Sequence, residues 1–378
     1  MKVAFDIKNL WLYGKGIGAF TLNLLQDIAT NPPAFDGYVQ LYSPSFEPAS
    51  LNFVQSQPLF QKVTTRLIDK KSRLDKVRYD QVSFLSSLQK QKPDLLFSPY
   101  FDIPLFWNKP TITTIHDLSI YEGKGSYGKG FYTYYNLLIK KAVRQSSFII
   151  TVSAHSKRKL METFHIPDEK IKIIYNKVQP SFLVKSAEAD KEKLSRVKAT
   201  YQLPDEFILY TGGLEKRKNI GLLVQGITNA KKKCAAIPKL VITGVGKDNI
   251  PPAFRNWLQQ ENVILLDYLP YESLAGVYKL ASLIVNTSGD EGFGIPVLEA
   301  LTMQKPILCS DIPVYQEVGQ EYAFYFRNND SSSFEQQLIQ YFQGKLKLPN
   351  PEAMKIRADF FNQKNYSHTF FQLVTHSL

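Results

Sequence analysis

Short apolar runs bounded by turn residues recur along this chain and alternate with segments whose apolar positions fall three and four apart. Residues 2–7, 38–42, 95–97, 111–115 and 148–152 form a first series of such runs, and a helical period covers 19–29 after the first of them. A second series follows at 207–210, 240–243, 263–266, 281–286 and 306–309. Runs this short and apolar throughout read as strands covered on both faces. Strands separated by helical segments pair in parallel, because a parallel connection needs a crossover. The pattern predicts an α/β architecture built twice, each time a parallel sheet layered by helices. Residues 184–197, rich in Lys, Glu, Asp and Ala, are weakly patterned and place a division between the series, giving domains at 1–195 and 196–355. A last helical stretch, 356–378, is rich in aromatic residues, including Phe360, Phe361, Tyr366, Phe370 and Phe371.

Size and composition agree with two globular domains. The 378 residues exceed one ordinary domain, and 44% hydrophobic and 21% charged residues are globular values. No uninterrupted apolar run reaches the length of a membrane span, and Met1–Phe5 lead into Asp6 where a signal peptide would continue apolar, so a soluble cytosolic protein is expected. Cys234 and Cys309 lie far apart without a metal-ligand spacing, which favours reduced buried thiols over a disulfide or zinc site.

The net charge is +12, and residues 1–180 hold most of it, with 24 Lys and Arg against 14 Asp and Glu. Lys70, Lys71, Arg73, Lys76 and Arg78 cluster on a segment that can be drawn to Leu88 as a basic amphipathic helix, a candidate surface for an anionic membrane or acceptor. Nucleic acid ranks last among anionic partners, since no nucleic-acid motif is present and the basic residues are not interleaved with aromatics in a strand platform.

The densest chemistry lies at 290–299, Asp-Glu-Gly-Phe-Gly-Ile-Pro-Val-Leu-Glu. Pro296 suits the first turn of a helix beginning near Ile295 and running to Met303. Glu299 then projects from that helix, while Glu291 stays on the loop after the strand at 281–286. The pair therefore sits on the carboxyl edge of a sheet, where open α/β sheets bind ligands. Directly after the strand at 207–210 comes Thr211-Gly212-Gly213-Leu214-Glu215-Lys216-Arg217-Lys218-Asn219, in which an arginine can fork across two phosphate oxygens and a lysine can act as a point charge.

The spacing of Glu291 and Glu299 around Gly292, Phe293, Gly294, Ile295 and Pro296 resembles the double-glutamate motif of retaining glycosyltransferases of family 4, the glycosyltransferase group 1 enzymes. Arg217-Lys218-Asn219 is similar to that family's pyrophosphate-holding signature. The likeness continues at Gly14, Gly16 and Gly18, similar to an N-terminal loop facing the donor, at Gly244-Val245-Gly246 near the base and ribose, and at His116-Asp117-Leu118. Two departures stand out. Many relatives have arginine where this chain has Gly213, and Asn-Gly-Val-Asp where this chain has Asn176-Lys177-Val178-Gln179, read here as a hinge element.

The resemblance implies a GT-B fold: two Rossmann-like β/α/β domains facing across a cleft, the first binding acceptor and the second the nucleotide-sugar donor, with the C-terminal helix crossing back to the first. It implies a retaining, metal-independent hexosyltransferase with no cofactor. GDP-mannose is the first expectation for the donor and a UDP-hexose the next; the expected acceptor is a saccharide or lipid-linked saccharide of a bacterial surface polysaccharide, with peripheral contact at the cytosolic face of a membrane as the expectation for a lipid-linked one. Catalytic roles fall to His116, Glu291, Arg217 and Lys218. Donor contacts fall to Gly16, Gly18, Gly213, Gly244, Gly246, Gly292, Phe293, Gly294, Ile295 and Glu299, with Glu299 on the ribose hydroxyls. A nucleotide-sugar epimerase or hydrolase, and a non-catalytic nucleotide-sugar-binding protein, are the alternatives.

Overall fold

The computed structural model describes residues 1–12, 16–32, 37–44, 57–65, 72–123, 128–187, 191–246, 250 and 252–378. The chain divides into two units. One comprises Met1–Gly123, Tyr127–Lys177 and Lys364–Leu378, and the other holds Val178–Gln363.

Among the described residues the first unit holds a seven-stranded sheet of β1 (Lys2–Asp6), β2 (Tyr38–Ser43), β3 (Phe60–Thr64), β4 (Leu95–Ser98), β5 (Thr111–Thr114), β6 (Phe148–Thr151) and β7 (Ile171–Ile173), in the spatial order β3-β2-β1-β4-β5-β6-β7. Every described pairing is parallel, with Phe5 opposite Leu41 on one side and Phe97 on the other. β4 and β5 are buried along their whole length, as continuous apolar or threonine-rich runs require when helices cover both faces. The sequence pattern did not mark β3 or β7. Both are edge strands, and β3 turns Gln61, Lys62 and Thr64 toward solvent, so neither needs an unbroken apolar run.

The last helix, Ser367–His376, belongs to this unit. Phe370 packs there with its ring 5.7 Å from Phe5 and 4.9 Å from Phe97. The break before it falls at Gln363, not at 355: the Pro351–Asn362 helix buries Met354, Ala358 and Phe361 in the second unit, against the Ile295–Thr302 helix.

The second unit repeats the scheme with β8 (Phe207–Thr211), β9 (Lys239–Thr243), β10 (Val263–Leu265), β11 (Leu283–Asn286), β12 (Ile307–Ser310) and β13 (Phe324–Phe326), in the parallel order β10-β9-β8-β11-β12-β13. β13, another edge, is the third strand that the pattern did not mark. The unit begins at Val178, before the expected boundary at 195. The charged stretch forms helices Pro180–Ala187 and Lys191–Thr200, and both pack on the Tyr271–Leu280 helix, with Phe182 against Tyr278 at 5.5 Å between rings. Exposed charges along Lys191–Thr200 hid this docking.

The basic segment is helical but not one regular helix. Arg73–Arg78 is α-helical, Tyr79–Phe84 is a π-helical turn and Leu85–Gln91 is α-helical again. Lys70, Lys71 and the side chain of Arg73 lie outside the described residues. The wide turn directs Tyr79, Asp80 and Phe84 inward, and there Asp80 meets Lys8.

Lys8 follows β1 and is fully buried. Its Nζ lies 2.8 Å from Asp6, 2.7 Å from Asp80 and 3.2 Å from Asp102, with the Phe84 ring 5.5 Å away. Three carboxylates around one ammonium cannot all stay ionised in a dry core, so the cluster retains protons. Burial, only partly offset by Lys8, raises the pKa of Asp6 and Asp80 above the usual carboxylate range. The folded state thus binds protons that the unfolded chain releases, and the associated stability, present at low pH, is lost as pH rises through the folded pKa. Asp80→Asn, which mimics the protonated acid, is expected to flatten this dependence. Thermal melts at pH 5 and pH 8 check it: the wild type should lose more melting temperature on going to pH 8 than the variant does.

Candidate active site

In the second sheet the chain runs from β8 outward through β9 to β10, then returns to the other side of β8 as β11. The connections after β8 and β11 therefore leave in opposite directions from adjacent strands, and such a reversal opens a crevice at the carboxyl edge of a parallel sheet. The residues singled out at 217, 218 and 291 lie on these two connections.

After β8, Lys216–Lys218 form a 3₁₀ turn that ends on Asn219 in the left-handed conformation, at φ 52°, before the Ile220–Lys233 helix. After β11, residues 287–294 form a loop stitched to that turn. The Gly289 N–H donates to the Arg217 carbonyl at 2.7 Å, and Thr287 Oγ1 donates to the Lys218 carbonyl at 2.9 Å. The loop ends at Gly294, whose φ of 102° and close approach to the Tyr315 ring leave no room for a side chain, and the Ile295–Thr302 helix starts there with Pro296 in its first turn.

These connections bring three charges together. Arg217 Nη1 lies 2.7 Å from Glu291 Oε2 and donates to the Asp290 carbonyl at 3.0 Å, while Lys218 Nζ donates to Glu291 Oε1. Side-chain exposure is 20% for Arg217, 12% for Lys218 and 11% for Glu291, so the group is enclosed but reachable. Burial alone would raise the pKa of Glu291; Lys218 and Arg217 outweigh it and hold the carboxyl at about 2. The carboxylate is permanently ionised near neutrality, and the group keeps one excess positive charge.

Glu299 sits elsewhere. It is 5% exposed and accepts a 2.6 Å hydrogen bond from Tyr278 Oη, which also lies 2.8 Å from Thr211 Oγ1 at the end of β8. Burial, reinforced by Glu299, pushes the Tyr278 phenol up, so it remains a hydrogen-bond donor. Nothing local in the sequence points to Tyr278, because its partner is 21 residues away on another helix. Gly213 accepts from Tyr210 Oη through its carbonyl at 3.1 Å, and the Glu215 carboxylate occupies the space where a side chain at position 213 would begin. Gly244 and Gly246 follow β9 on the same carboxyl edge. The Phe293 ring is buried against Phe361, 5.5 Å between rings, which leaves only its backbone on the loop side.

In the first unit, Gly16 and Gly18 open the Gly16–Thr30 helix after β1, next to that sheet's own reversal between β1 and β4. His116 follows β5. Its Nε2 lies 2.9 Å from the Pro99 carbonyl, which accepts the ring N–H, and Phe20 meets the ring edge-on at 5.1 Å. Burial lowers the His116 pKa below its ordinary value despite Asp117 and the Pro99 carbonyl, which favour the charged ring. The imidazole is therefore neutral at physiological pH, with Nδ1 as its acceptor.

Two family models match the chain in succession: Glycosyltransferase Family 4 over residues 25–182 and Glycosyl transferases group 1 over residues 191–359. Together the two family models and the two parallel sheets identify the class, a glycosyltransferase of GT-B fold. The chain belongs to the group 1, family 4 glycosyltransferases. It is 28% identical over 245 residues to the O-antigen chain mannosyltransferase RfbU of Salmonella typhimurium, a match that spans 64% of this chain and 63% of that relative. It is 23% identical over 362 residues to the O-antigen chain mannosyltransferase B of Escherichia coli, 91% of each chain. Among solved structures, Anabaena HepE in complex with UDP and glucose superposes with a TM-score of 0.72 at 14% identity, covering 100% of both chains. A glycosyltransferase from Rickettsia africae superposes with a TM-score of 0.67 at 15% identity, covering 100% of this chain and 98% of that one. At such identities the likeness is one of fold.

The Glu291 group is expected to contribute to stability. Glu291→Gln strands two half-enclosed cations and is expected to cost about 2–3 kcal/mol at pH 7, less than a fully buried pair because solvent reaches the group. A folded pKa of about 2 against an ordinary 4.5 means that this contribution is complete above pH 4.5 and disappears as pH falls toward 2. Denaturant titrations of both proteins should therefore converge on going from pH 7 to pH 3.

Proposed function

We propose that this protein transfers a hexose from a nucleoside-diphosphate sugar to a saccharide or lipid-linked saccharide during synthesis of a surface polysaccharide, with retention of configuration and without a divalent metal. The observation that carries the reading is the pairing of Arg217 and Lys218 with Glu291 at the sheet reversal. Breaking a glycosidic bond to a diphosphate leaves negative charge on the phosphates, and fixed cations stabilise that charge. In the free protein the Glu291 carboxylate occupies both cations. An entering diphosphate competes for them, and Glu291 is then released toward the sugar. Arg217 takes phosphate oxygens in its fork, and Lys218 supplies the point charge.

The N–H groups of Gly292, Phe293, Gly294 and Ile295, at the start of a helix, suit phosphate or sugar hydroxyls. Glu299, held by Tyr278 through one oxygen, suits the ribose hydroxyls, and the Gly244–Gly246 turn suits the base side of the donor. Gly16 and Gly18 are assigned to the donor from the first unit. His116, being neutral, acts as a hydrogen-bonding group toward the transferred sugar or acceptor and not as a phosphate cation. The first two relatives act as mannosyltransferases, which supports GDP-mannose as first choice of donor; HepE was solved with UDP and glucose, which supports a UDP-hexose as second.

Thermal shift with GDP, UDP and dTDP should show stabilisation by one of them, and transfer from the matching sugar nucleotide should persist in excess EDTA. Activity lost in EDTA and restored only by Mg²⁺ or Mn²⁺ would overturn the metal-free part. Product formed from donor without acceptor would favour epimerase or hydrolase chemistry. Lys218→Ala is expected to lower kcat by roughly 100-fold, the usual cost of removing one charge-stabilising donor, with most of the protein still folded by circular dichroism.

Membrane contact is proposed from one further feature. On the Arg73–Arg78 helix and the π turn, Leu74 and Val82 are 65% and 64% exposed, with the Arg78 side chain 76% exposed between them in sequence. Apolar residues flanked by cations suit an anionic bilayer surface. Co-sedimentation with phosphatidylglycerol vesicles, and not with phosphatidylcholine ones, is expected at low salt and should fall at high salt; equal, negligible binding in all cases would leave the segment as a solvated face.

A further inference from the structure

The chain crossings that follow Lys177 and precede Lys364 are both fastened to one aspartate. Asp27 lies near the end of the Gly16–Thr30 helix and is 9% exposed. Lys177, the last residue of the first unit before the chain leaves it, donates from Nζ to Asp27 Oδ1 at 2.6 Å and to Oδ2 at 2.7 Å. The chain re-enters at Lys364, and two residues later the Tyr366 N–H donates to Asp27 Oδ2 at 3.0 Å. Asn365 Nδ2 donates to the Asp27 carbonyl at 3.2 Å, Asn23 Nδ2 donates to the Lys177 carbonyl at 3.1 Å, and the Lys177 ammonium sits 5.5 Å over the Tyr366 ring. The departing and returning segments also bond each other, with the Tyr175 N–H donating to Tyr366 Oη at 3.3 Å.

A buried ion pair is a poor way to gain stability, because desolvation offsets most of its Coulomb energy; a neutral pair of the same shape does as well or better. What such a pair supplies is a single defined position for the segments it joins. Here it defines where both crossings leave the first unit. The same helix begins at Gly16 and Gly18, so one rigid element joins the crossings to the turn after β1.

We propose that Asp27 and Lys177 are positioning residues for glycosyl transfer, a clasp that fixes both crossings to the helix carrying the Gly16–Gly18 turn. The inference rests on the transfer reading above. Arg217, Lys218, Glu291 and Glu299, the residues assigned to the nucleoside diphosphate, belong to the second unit, whereas the clasp holds the helix that begins at Gly16 and Gly18, so loosening it acts on turnover and leaves nucleoside-diphosphate affinity alone.

The test is the double variant Asp27→Asn/Lys177→Met, beside Lys177→Met and Lys177→Arg. Lys177→Met alone strands a buried carboxylate and is expected to unfold more easily. The double variant removes both charges, keeps an oxygen for the Tyr366 N–H, and is expected to melt near the wild type. Its kcat should fall by at least about tenfold, the scale of a small misplacement, with Kd for the nucleoside diphosphate within about twofold of wild type. Lys177→Arg should recover part of kcat. Wild-type kcat in the well-folded double variant overturns the proposal, as does weaker nucleoside-diphosphate binding that accounts for the whole loss. If the wild-type protein transfers no sugar, the transfer reading fails by itself and amide hydrogen exchange decides the clasp. Faster exchange at residues 174–178 and 364–367 together, with residues 212–219 unchanged, upholds it; a change in one segment alone, or in neither, overturns it.

Discussion

Each sheet is parallel and each starts from its middle: β1 and β8 are laid down first, two strands follow on one side, and the chain then returns to the other side. A parallel sheet cannot be built this way without leaving neighbouring connections that diverge at its carboxyl edge. The rest of the molecule is arranged around those two gaps. Both gaps gather charge, with opposite balance. In the first unit three aspartates surround one buried ammonium, and aromatic rings and a π-helical turn seal the cluster from water. In the second unit two cations share one carboxylate and retain some exposure. The first arrangement is internal architecture, holding β1, the β4 connection and the π turn in register. The second has a positive excess and a route to solvent, the properties on which the proposed binding of an anionic leaving group rests.

The position of Glu291 shows how a site can be ready before its ligand arrives. Two unpaired cations at the sheet edge would repel each other and disorder their loops; the carboxylate holds them in place in the free protein. Its depressed pKa keeps that hold at every physiological pH. On the transfer reading proposed above, an entering diphosphate would meet the cations already aimed and partly desolvated, with less ordering left to be done on binding.

Much of the fold was legible because a strand buried on both faces must be apolar along its length and a crossover must be helical. β1, β4, β8 and β11 announce themselves in this way, and so does the helix start at Ile295-Pro296. β3, β7 and β13 do not, since an edge strand has a solvent side and can be short. The boundary at 178 was hidden because helix 191–200 shows its charges outward, while the docking of helix 180–187 rests on Phe182, buried against Tyr278. Lys8 gave no signal at all: a lysine after a strand reads as a solvated residue, and only the π turn that brings Asp80 to it makes it a core group.

The sequence by itself determined the α/β class, the two series of strands, the family resemblance and the identities of Arg217, Lys218, Glu291 and Glu299, because local periodicity, glycine and proline placement and residue chemistry are all carried within short stretches. Which of these side chains meet was decided by the tertiary structure. Glu291 joins Arg217 and Lys218 because β8 and β11 are neighbours; Glu299 turns instead to Tyr278, whose hydroxyl also meets Thr211; and Asp27 finds Lys177 150 residues away. Pairings over such separations depend on strand order and helix docking, which are set by the burial of whole faces and leave no mark at the positions they bring together.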